Sequence, residues 1–399
     1  MTSKRASVFI DGLEEQPVLC GEITLDAERR HGAFCYNPTY LSRANAFALD
    51  PLNLPLSSVP HTAALRSGLF GVFTDAAADA WGKKVYSALH HDESASPLQF
   101  LLACSGTGVG SLLFTTSDTP TQPVWAQNTL SDLPQLIQGK NALLQSKPLP
   151  IAAKNAFANS FGLGGARPKA QVTDKGLTYI AKFNRPDDAF NQVRVEHACM
   201  RMQAELGIKV ANTRVETIHG EDVLLVQRFD RNEQQRPTHH FISAHALFNM
   251  DSVSPAHLTG KYSYGFLAEF LLAQNAPEDA HELYRRMVFN VLIGNTDDHS
   301  RNHALLYDFS DKKWQLSPAY DVLPINNSRQ HGLGIGDFGR DGSIENLLSQ
   351  AARFNLSELG AQRIIRQTYE LVAEWPLYFD KLGVKSKDRE CLLSVIPSY

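Results

Sequence analysis

The sequence has no excess of either charge, no long apolar run and no cysteine pattern, and each absence removes a class of function. Its 38 basic and 42 acidic residues leave a formal charge of −4. That is no electrostatic footprint for nucleic acid, so contact with DNA would fall to a partner. No apolar stretch is long enough to span a bilayer, and the opening Met1-Thr2-Ser3-Lys4-Arg5 carries no signal-peptide core, so neither membrane nor export is expected. Five cysteines (Cys20, Cys35, Cys104, Cys199, Cys391) are odd in number and lack CxxC spacing. They argue against a disulfide framework or a zinc site and fit a reducing cytoplasm. No internal repeat is visible. No G-x-S-x-G elbow accompanies a Ser-His-Asp order, which leaves a hydrolase without an anchor. The pairs His90-His91 and His239-His240 lack a third ligand at metal spacing and read as surface residues.

What is present is an ordinary globular composition, 43% hydrophobic and 20% charged over 399 residues, enough for a two-lobed enzyme. Residues 1–115 read as a small α/β unit, with strands at Ala6–Ile10 and Gly21–Leu25 and a helix over Val72–His90. Within it, Asp79 and Trp81-Gly82 could form a functional patch, but a tryptophan packed under a helix is the plainer reading. Residues 116–150 are rich in Ser, Thr, Pro and Gln, and read as a linker holding one short helix started by Ser131. Residues 151–235 follow as a strand-rich lobe. Asp174-Lys175-Gly176 makes a tight hairpin turn between Lys169–Val172 and Leu177–Phe183. A helix near Val193–Leu206 is stopped by Gly207, and strands fall at Thr213–Thr217 and Val223–Val226. Residues 236–399 read as helical, at His240–Met250, Gly265–Gln274, Glu282–Ile293 and Leu356 to about Leu393.

One stretch organises this pattern: Asn295-Thr296-Asp297-Asp298-His299-Ser300-Arg301-Asn302, followed by Tyr320-Asp321. In phosphoryl-transfer sites, one aspartate orients the attacking hydroxyl, while an asparagine a few residues on and a later aspartate hold magnesium. Asp297, Asn302 and Asp321 occupy those places in that order. Upstream, the loop Gly162–Lys169 would let backbone N–H groups at Gly164, Gly165 and Ala166 approach phosphates, with Lys169 beside them. Lys182 on the next strand could reach the α- and β-phosphates, or be a solvated edge charge. Glu196 could hold Lys182 or sit exposed on its helix. The backbone around Gln227 and Phe229 could bind adenine or simply connect two lobes. His299 could act as a base or orient backbone, and Arg301 could meet the transferring phosphate or lie exposed.

The segments Gly164-Gly165-Ala166-Arg167-Pro168-Lys169, Gln227-Arg228-Phe229-Asp230-Arg231, Gly294 to Asn302 and Tyr320-Asp321 resemble the HipA family. Those are bacterial serine/threonine-protein kinases, many of them toxins of toxin–antitoxin pairs. The early stretches Phe34-Cys35-Tyr36, Leu69-Phe70-Gly71 and Asp79-Ala80-Trp81-Gly82 are similar to that family's N-terminal subdomain. The resemblance implies an α+β, two-lobed protein-kinase-like fold with an added N-terminal α/β subdomain and a helical C-terminal lobe. It implies Asp297 as catalytic base, Asn302 and Asp321 as magnesium ligands, Lys182 on the ATP phosphates, and adenine at Gln227 and Phe229. Family members are often inactivated by phosphorylation of a serine in the glycine-rich loop. That position here is Gly162, a departure, so self-inactivation by this route is either absent or moved to Ser160, the nearest hydroxyl.

The expectation is therefore an ATP- and Mg2+-dependent kinase acting on a serine or threonine of a cytoplasmic protein. The resemblance adds a translation component such as an aminoacyl-tRNA synthetase as substrate, and restraint by a small helix-turn-helix antitoxin. Two alternatives remain: a small-molecule phosphotransferase of kinase-like fold, and a catalytically silent nucleotide-binding regulator. Transfer of AMP in place of phosphate is a further chemistry.

Overall fold

The computed structural model describes residues 4–26, 31–63, 65–120, 128–158, 160, 162–252, 262–325 and 328–397. The chain divides into two compact units. One comprises Met1–Phe183, Gln227–Leu258 and Leu306–Lys312; the other comprises Asn184–Val226, Thr259–Leu305 and Lys313–Tyr399. Among the described residues no helix is long and apolar enough to cross a membrane.

The first unit is built on β1 (Lys4–Ile10), β2 (Val18–Asp26), β3 (His31–Tyr36), β4 (His61–Ala63) and β5 (Leu112–Thr115). They form one antiparallel sheet in the order β4-β3-β2-β1-β5. The strand expected at Gly21–Leu25 starts earlier, at Val18, and the reason is a bulge. Val8 faces Gly21 but Phe9 faces Leu19, so Cys20 is the extra residue. Buried positions accordingly change phase, from Val18 and Cys20 to Ile23 and Leu25, which hides the alternation that marks a strand. Phe34 and Tyr36 meet edge-on at 4.8 Å, and Phe73 lies 5.2 Å from Phe34. Their polar neighbours are satisfied: the Tyr36 hydroxyl donates to the Leu54 carbonyl at 2.6 Å.

The helix expected over Val72–His90 is two helices, Gly71–Asp75 and Ala80–His90. Asp79 caps the second by accepting from the Ala80 N–H at 2.8 Å, so the acid that starts this helix also ends the continuity. Helix Leu133–Leu144 buries Leu133, Leu136, Ile137 and Leu143. β6 (Lys169–Asp174) and β7 (Leu177–Phe183) form the expected hairpin. Lys175 and Gly176 both have positive φ, 51° and 82°, the geometry of a two-residue turn matched to strand twist. His240–Met250, expected as a helix, opens instead with the strand His239–Ser243 and leaves only the short helix Ala244–Leu247. The aromatic and β-branched run His-His-Phe-Ile suits a strand better. His240 is not a surface residue either. It is fully buried, its Nε2–H donates to the Leu49 carbonyl at 2.8 Å, and burial lowers its pKa to about 4.

In the second unit, helix Gln192–Glu205 is capped by Asn191 and ends before Gly207, whose φ is 70°. β8 (Thr213–Ile218) and β9 (Glu221–Gln227) pair antiparallel. The central element is helix Pro277–Ile293, buried continuously from Arg286 to Ile293. Proline starts it where a missing N–H costs nothing. Gly294 stops it in the left-handed conformation at φ 78°, and a side chain there would meet Pro397 Cδ at 2.9 Å. The tail is three helices, Glu358–Ala373, Trp375–Lys381 and Ser386–Leu392. It is broken by Pro376 near the start of the second and by Gly383 at φ 80° after it.

Candidate functional site

In the first unit, the glycine segment is fastened through both backbone groups of Gly165, and its neighbours on either side are exposed. Gly165, at φ 93°, donates its N–H to Asp79 Oδ2 at 3.0 Å and accepts from the Trp81 N–H at 3.2 Å. Gly164 and Ala166 are exposed, and a Cβ at Gly164 would touch nothing within 4 Å. Lys169 Nζ donates to the Gly164 carbonyl, and the Lys169 carbonyl accepts from Trp81 Nε1 at 2.9 Å. Trp81 is thus packed, 2% exposed, and also bonded to the loop. Lys169 lies directly opposite Lys182 across β6 and β7. Facing residues of an antiparallel pair share a side of the hairpin, so two ammonium-bearing side chains stand together at its end.

Gly162 and Ser160 begin this segment. A Cβ on Gly162 would lie 2.7 Å from Thr107 Oγ1 and 3.0 Å from Gly108 N. A serine therefore does not fit at that position without movement. Ser160 is buried, 1% exposed, and its Oγ accepts from the Gln171 N–H at 3.2 Å.

Gln227 and Phe229 are both half-buried, and the Arg228 N–H between them donates to the Thr178 carbonyl at 2.8 Å. The side chains that follow form a buried charged cluster. Arg228 grips Asp230 with Nε at 2.9 Å and Nη2 at 2.7 Å. It also donates to Gln171 Oε1 at 2.8 Å and the Gly108 carbonyl at 2.8 Å. Arg231 donates to the carbonyls of Gly110 at 2.5 Å and Gly108 at 3.0 Å, and Asp230 accepts from the Gly110 N–H at 2.8 Å. Burial by itself would raise the Asp230 pKa. The charges of Arg228 and Arg231 and the bonds from Arg228 and Gly110 outweigh it, and hold the carboxyl well below its ordinary range. Burial lowers Arg231 to about 10, against the opposing pull of Asp230. This cluster was not foreseen as a device, because its partners lie some 120 residues apart; its one signal is the run Arg-Phe-Asp-Arg itself.

In the second unit, the acid-bearing loop hangs from the end of helix Pro277–Ile293. Asn295 is buried and donates to Asn290 Oδ1 at 3.2 Å, and Asn290 donates to the Tyr264 hydroxyl at 3.1 Å. Asp297 is exposed. Asp298 is 2% exposed and accepts from His303 Nε2 at 2.9 and 3.2 Å. Residues 300–302 make a single tight turn closed by the Asn302 N–H on the His299 carbonyl at 2.9 Å, so the backbone of His299 orients the loop. Asn302 Nδ2 points toward the Asp297 carbonyl at 3.5 Å, which turns its amide oxygen the other way.

The segment bearing Asp321 is pinned beside that turn. The Tyr320 hydroxyl donates to the Arg301 carbonyl at 2.9 Å, and the Ile325 N–H to the Gly294 carbonyl at 3.2 Å. Upstream, the buried Arg286 donates to the Ser317 carbonyl at 2.7 Å and pairs with Glu282. Asp321 itself is exposed at φ 61°, a backbone state a non-glycine residue holds only where its surroundings demand it. Asp297, Asn302 and Asp321 are therefore carried by two segments bonded to each other. Among the described residues no group of three or more His, Cys, Asp or Glu side chains could hold a metal. Asn302 and Asp321 offer hard oxygen donors, the chemistry magnesium takes when phosphates and water complete its shell.

Residues 161–375 match the model of the HipA-like C-terminal domain, and residues 13–115 that of the HipA N-terminal domain. The architecture and these matches define a kinase-like α+β protein. The chain belongs to the HipA family. It is 28% identical over 194 residues to a Haemophilus influenzae protein named "Putative kinase", covering 44% of this chain and 56% of that one. It is 29% identical over 184 residues to "Putative kinase Y4dM" of Sinorhizobium fredii, covering 42% of each. The chain thus matches about half the length of these curated relatives. Its fold aligns at a TM-score of 0.66 and 16% identity with a chain of the Shewanella oneidensis MR-1 toxin–antitoxin system HipA, HipB and operator DNA complex. That alignment covers 97% of this chain and 94% of the other.

Proposed function

We propose that the chain is an ATP- and magnesium-dependent kinase that phosphorylates a serine or threonine of a protein in the cytoplasm. The observation that carries this is the pairing of an exposed Asp297 with Asn302 and Asp321 on two segments bonded to each other. In this reading Asp297 orients the acceptor hydroxyl and takes its proton. Asn302 and Asp321 hold the magnesium, which when bound neutralises charge on the phosphates. Lys182, with Lys169 opposite it, binds the phosphates together with the backbone of exposed Gly164 and Ala166, and the backbone at Gln227 and Phe229 receives the adenine. Catalysis is then mostly positioning and charge neutralisation.

The same reading extends to partners by family likeness: a translation component such as an aminoacyl-tRNA synthetase as substrate, and a small helix-turn-helix antitoxin. The likeness in fold to a chain of the HipA, HipB and operator DNA complex supports the second, and the −4 charge suits a protein that leaves DNA contact to its partner. Phosphorylation of Ser160 would first require its hydroxyl to leave Gln171, and so would act by drawing the glycine segment out. A phosphoproteome of cells expressing wild type against Asp297→Asn tests the reading. Serine or threonine sites present only with wild type support it; identical phosphoproteomes reject it.

A further inference from the structure

Asp79 and Trp81 lie far upstream of every residue assigned above, at the start of helix Ala80–His90. Three bonds join them to the glycine segment: Asp79 Oδ2 takes the Gly165 N–H at 3.0 Å, the Trp81 N–H reaches the Gly165 carbonyl at 3.2 Å, and Trp81 Nε1 reaches the Lys169 carbonyl at 2.9 Å. Both backbone groups of Gly165 are therefore spent on this helix start. The consequence falls on its neighbours, since fastening the middle of the segment fixes the direction in which exposed Gly164 and Ala166 face. The same tryptophan residue holds the Lys169 carbonyl, and the Lys169 ammonium donates to the Gly164 carbonyl. A glycine-containing loop left free would have to be ordered at each binding event, at an entropic cost that a preset loop avoids.

We infer that Asp79 and Trp81 are positioning residues that preset the glycine segment for a nucleotide's phosphates, without touching the nucleotide. The inference rests on the nucleotide-binding reading above, and goes beyond it by giving the N-terminal part of the chain a role in that site. Each residue has a second job that a test must spare. Asp79 Oδ1 caps the helix at Ala80, and the Trp81 ring packs edge-on against Phe157 at 6.2 Å. Asp79→Asn keeps an oxygen for the cap and sets an NH2 against the Gly165 N–H. Trp81→Phe keeps an aromatic ring and removes the indole donor together with some packed volume, so the exchange of helix Ala80–His90 serves as the control for packing.

The experiment has two arms on the full chain. In the first, amide hydrogen exchange without nucleotide is followed over residues 162–169 and over helix Ala80–His90. In the second, calorimetry measures binding of a non-hydrolysable ATP analogue with magnesium. Both variants are expected to speed exchange in the glycine segment and not in the helix, and to weaken the analogue about tenfold. The double variant should be no weaker than about the worse single one, since both loosen one loop. Unchanged exchange would show that the fastening is not made, and overturn the inference. Faster exchange with unchanged affinity would reduce the contact to a structural one, and overturn it too. If wild type itself binds no analogue while exchange responds, the nucleotide reading fails and takes the positioning role with it, leaving the fastening as a packing feature.

Discussion

Asp297 and Asp298 are adjacent in the chain and opposite in environment. Asp297 is exposed, while Asp298 is 2% exposed and holds His303 Nε2 at 2.9 Å. Two identical carboxylates thereby acquire separate work: one faces what approaches from solvent, the other ties the loop to its own far end. Asp298→Asn is expected to lower stability by about 1–3 kcal/mol, because a buried imidazole loses its carboxylate partner. A urea midpoint of the variant measures it. A midpoint equal to wild type would show that the His303 bond carries no weight.

The buried Arg228–Asp230–Arg231 cluster gives the first unit a pH-dependent contribution to stability. Asp230 titrates well below the ordinary carboxylate value of about 3.9. Its depressed pKa contributes stability that is present above that ordinary value and is lost as pH falls through the folded one. Asp230→Asn removes the carboxylate shared by two buried guanidinium groups, leaving Asp11 acting on Arg231, and should cost about 3–5 kcal/mol near neutrality. Below about pH 4 the gap to wild type should narrow. Denaturant midpoints from neutral to acid pH read both effects, and a constant gap would contradict the assignment.

Gly162→Ser is expected to destabilise by about 1–3 kcal/mol, since its side chain would press on Thr107 Oγ1 and Gly108 N. Adding Thr107→Ala should recover part of the loss by removing the nearer atom. Thermal melts of the two single variants and the double form the cycle. Absence of recovery would place the strain on Gly108 instead.

Much of the fold was legible where local chemistry decides it. The hairpin turn at Asp174-Lys175-Gly176 and the helix stop at Gly207 follow from the sequence, and both glycines hold positive φ. Reading failed where one residue serves two patterns. The extra Cys20 breaks the alternation of β2, and His239–Ser243 carries strand-forming residues immediately before a helix. In the site, acid and amide spacing could be seen because both lie within one short loop. The environments that separate Asp297 from Asp298 could not, and neither could the reach of Asp79 to Gly165 or of Arg231 to Gly110. Those contacts join positions distant in sequence, and no local periodicity records them.

Asp321→Asn should leave the fold intact, since asparagine tolerates the φ of 61° held there, while removing the anionic oxygen proposed to hold magnesium. Magnesium titrations with an ATP analogue are expected to shift at least about tenfold, by the loss of one charged ligand. An unshifted titration would remove Asp321 from the metal site.

The most direct measurement is transfer of phosphate from ATP to protein by wild type and Asp297→Asn, with thermal melts of both. Asp297 is exposed, so its melting temperature should be unchanged, because surface substitutions rarely exceed about ±0.5 kcal/mol. Transfer should fall at least about a hundredfold, the contribution of a positioned general base. An Asp297→Asn protein that melts like wild type and still labels serine or threonine at the wild-type rate would contradict the account.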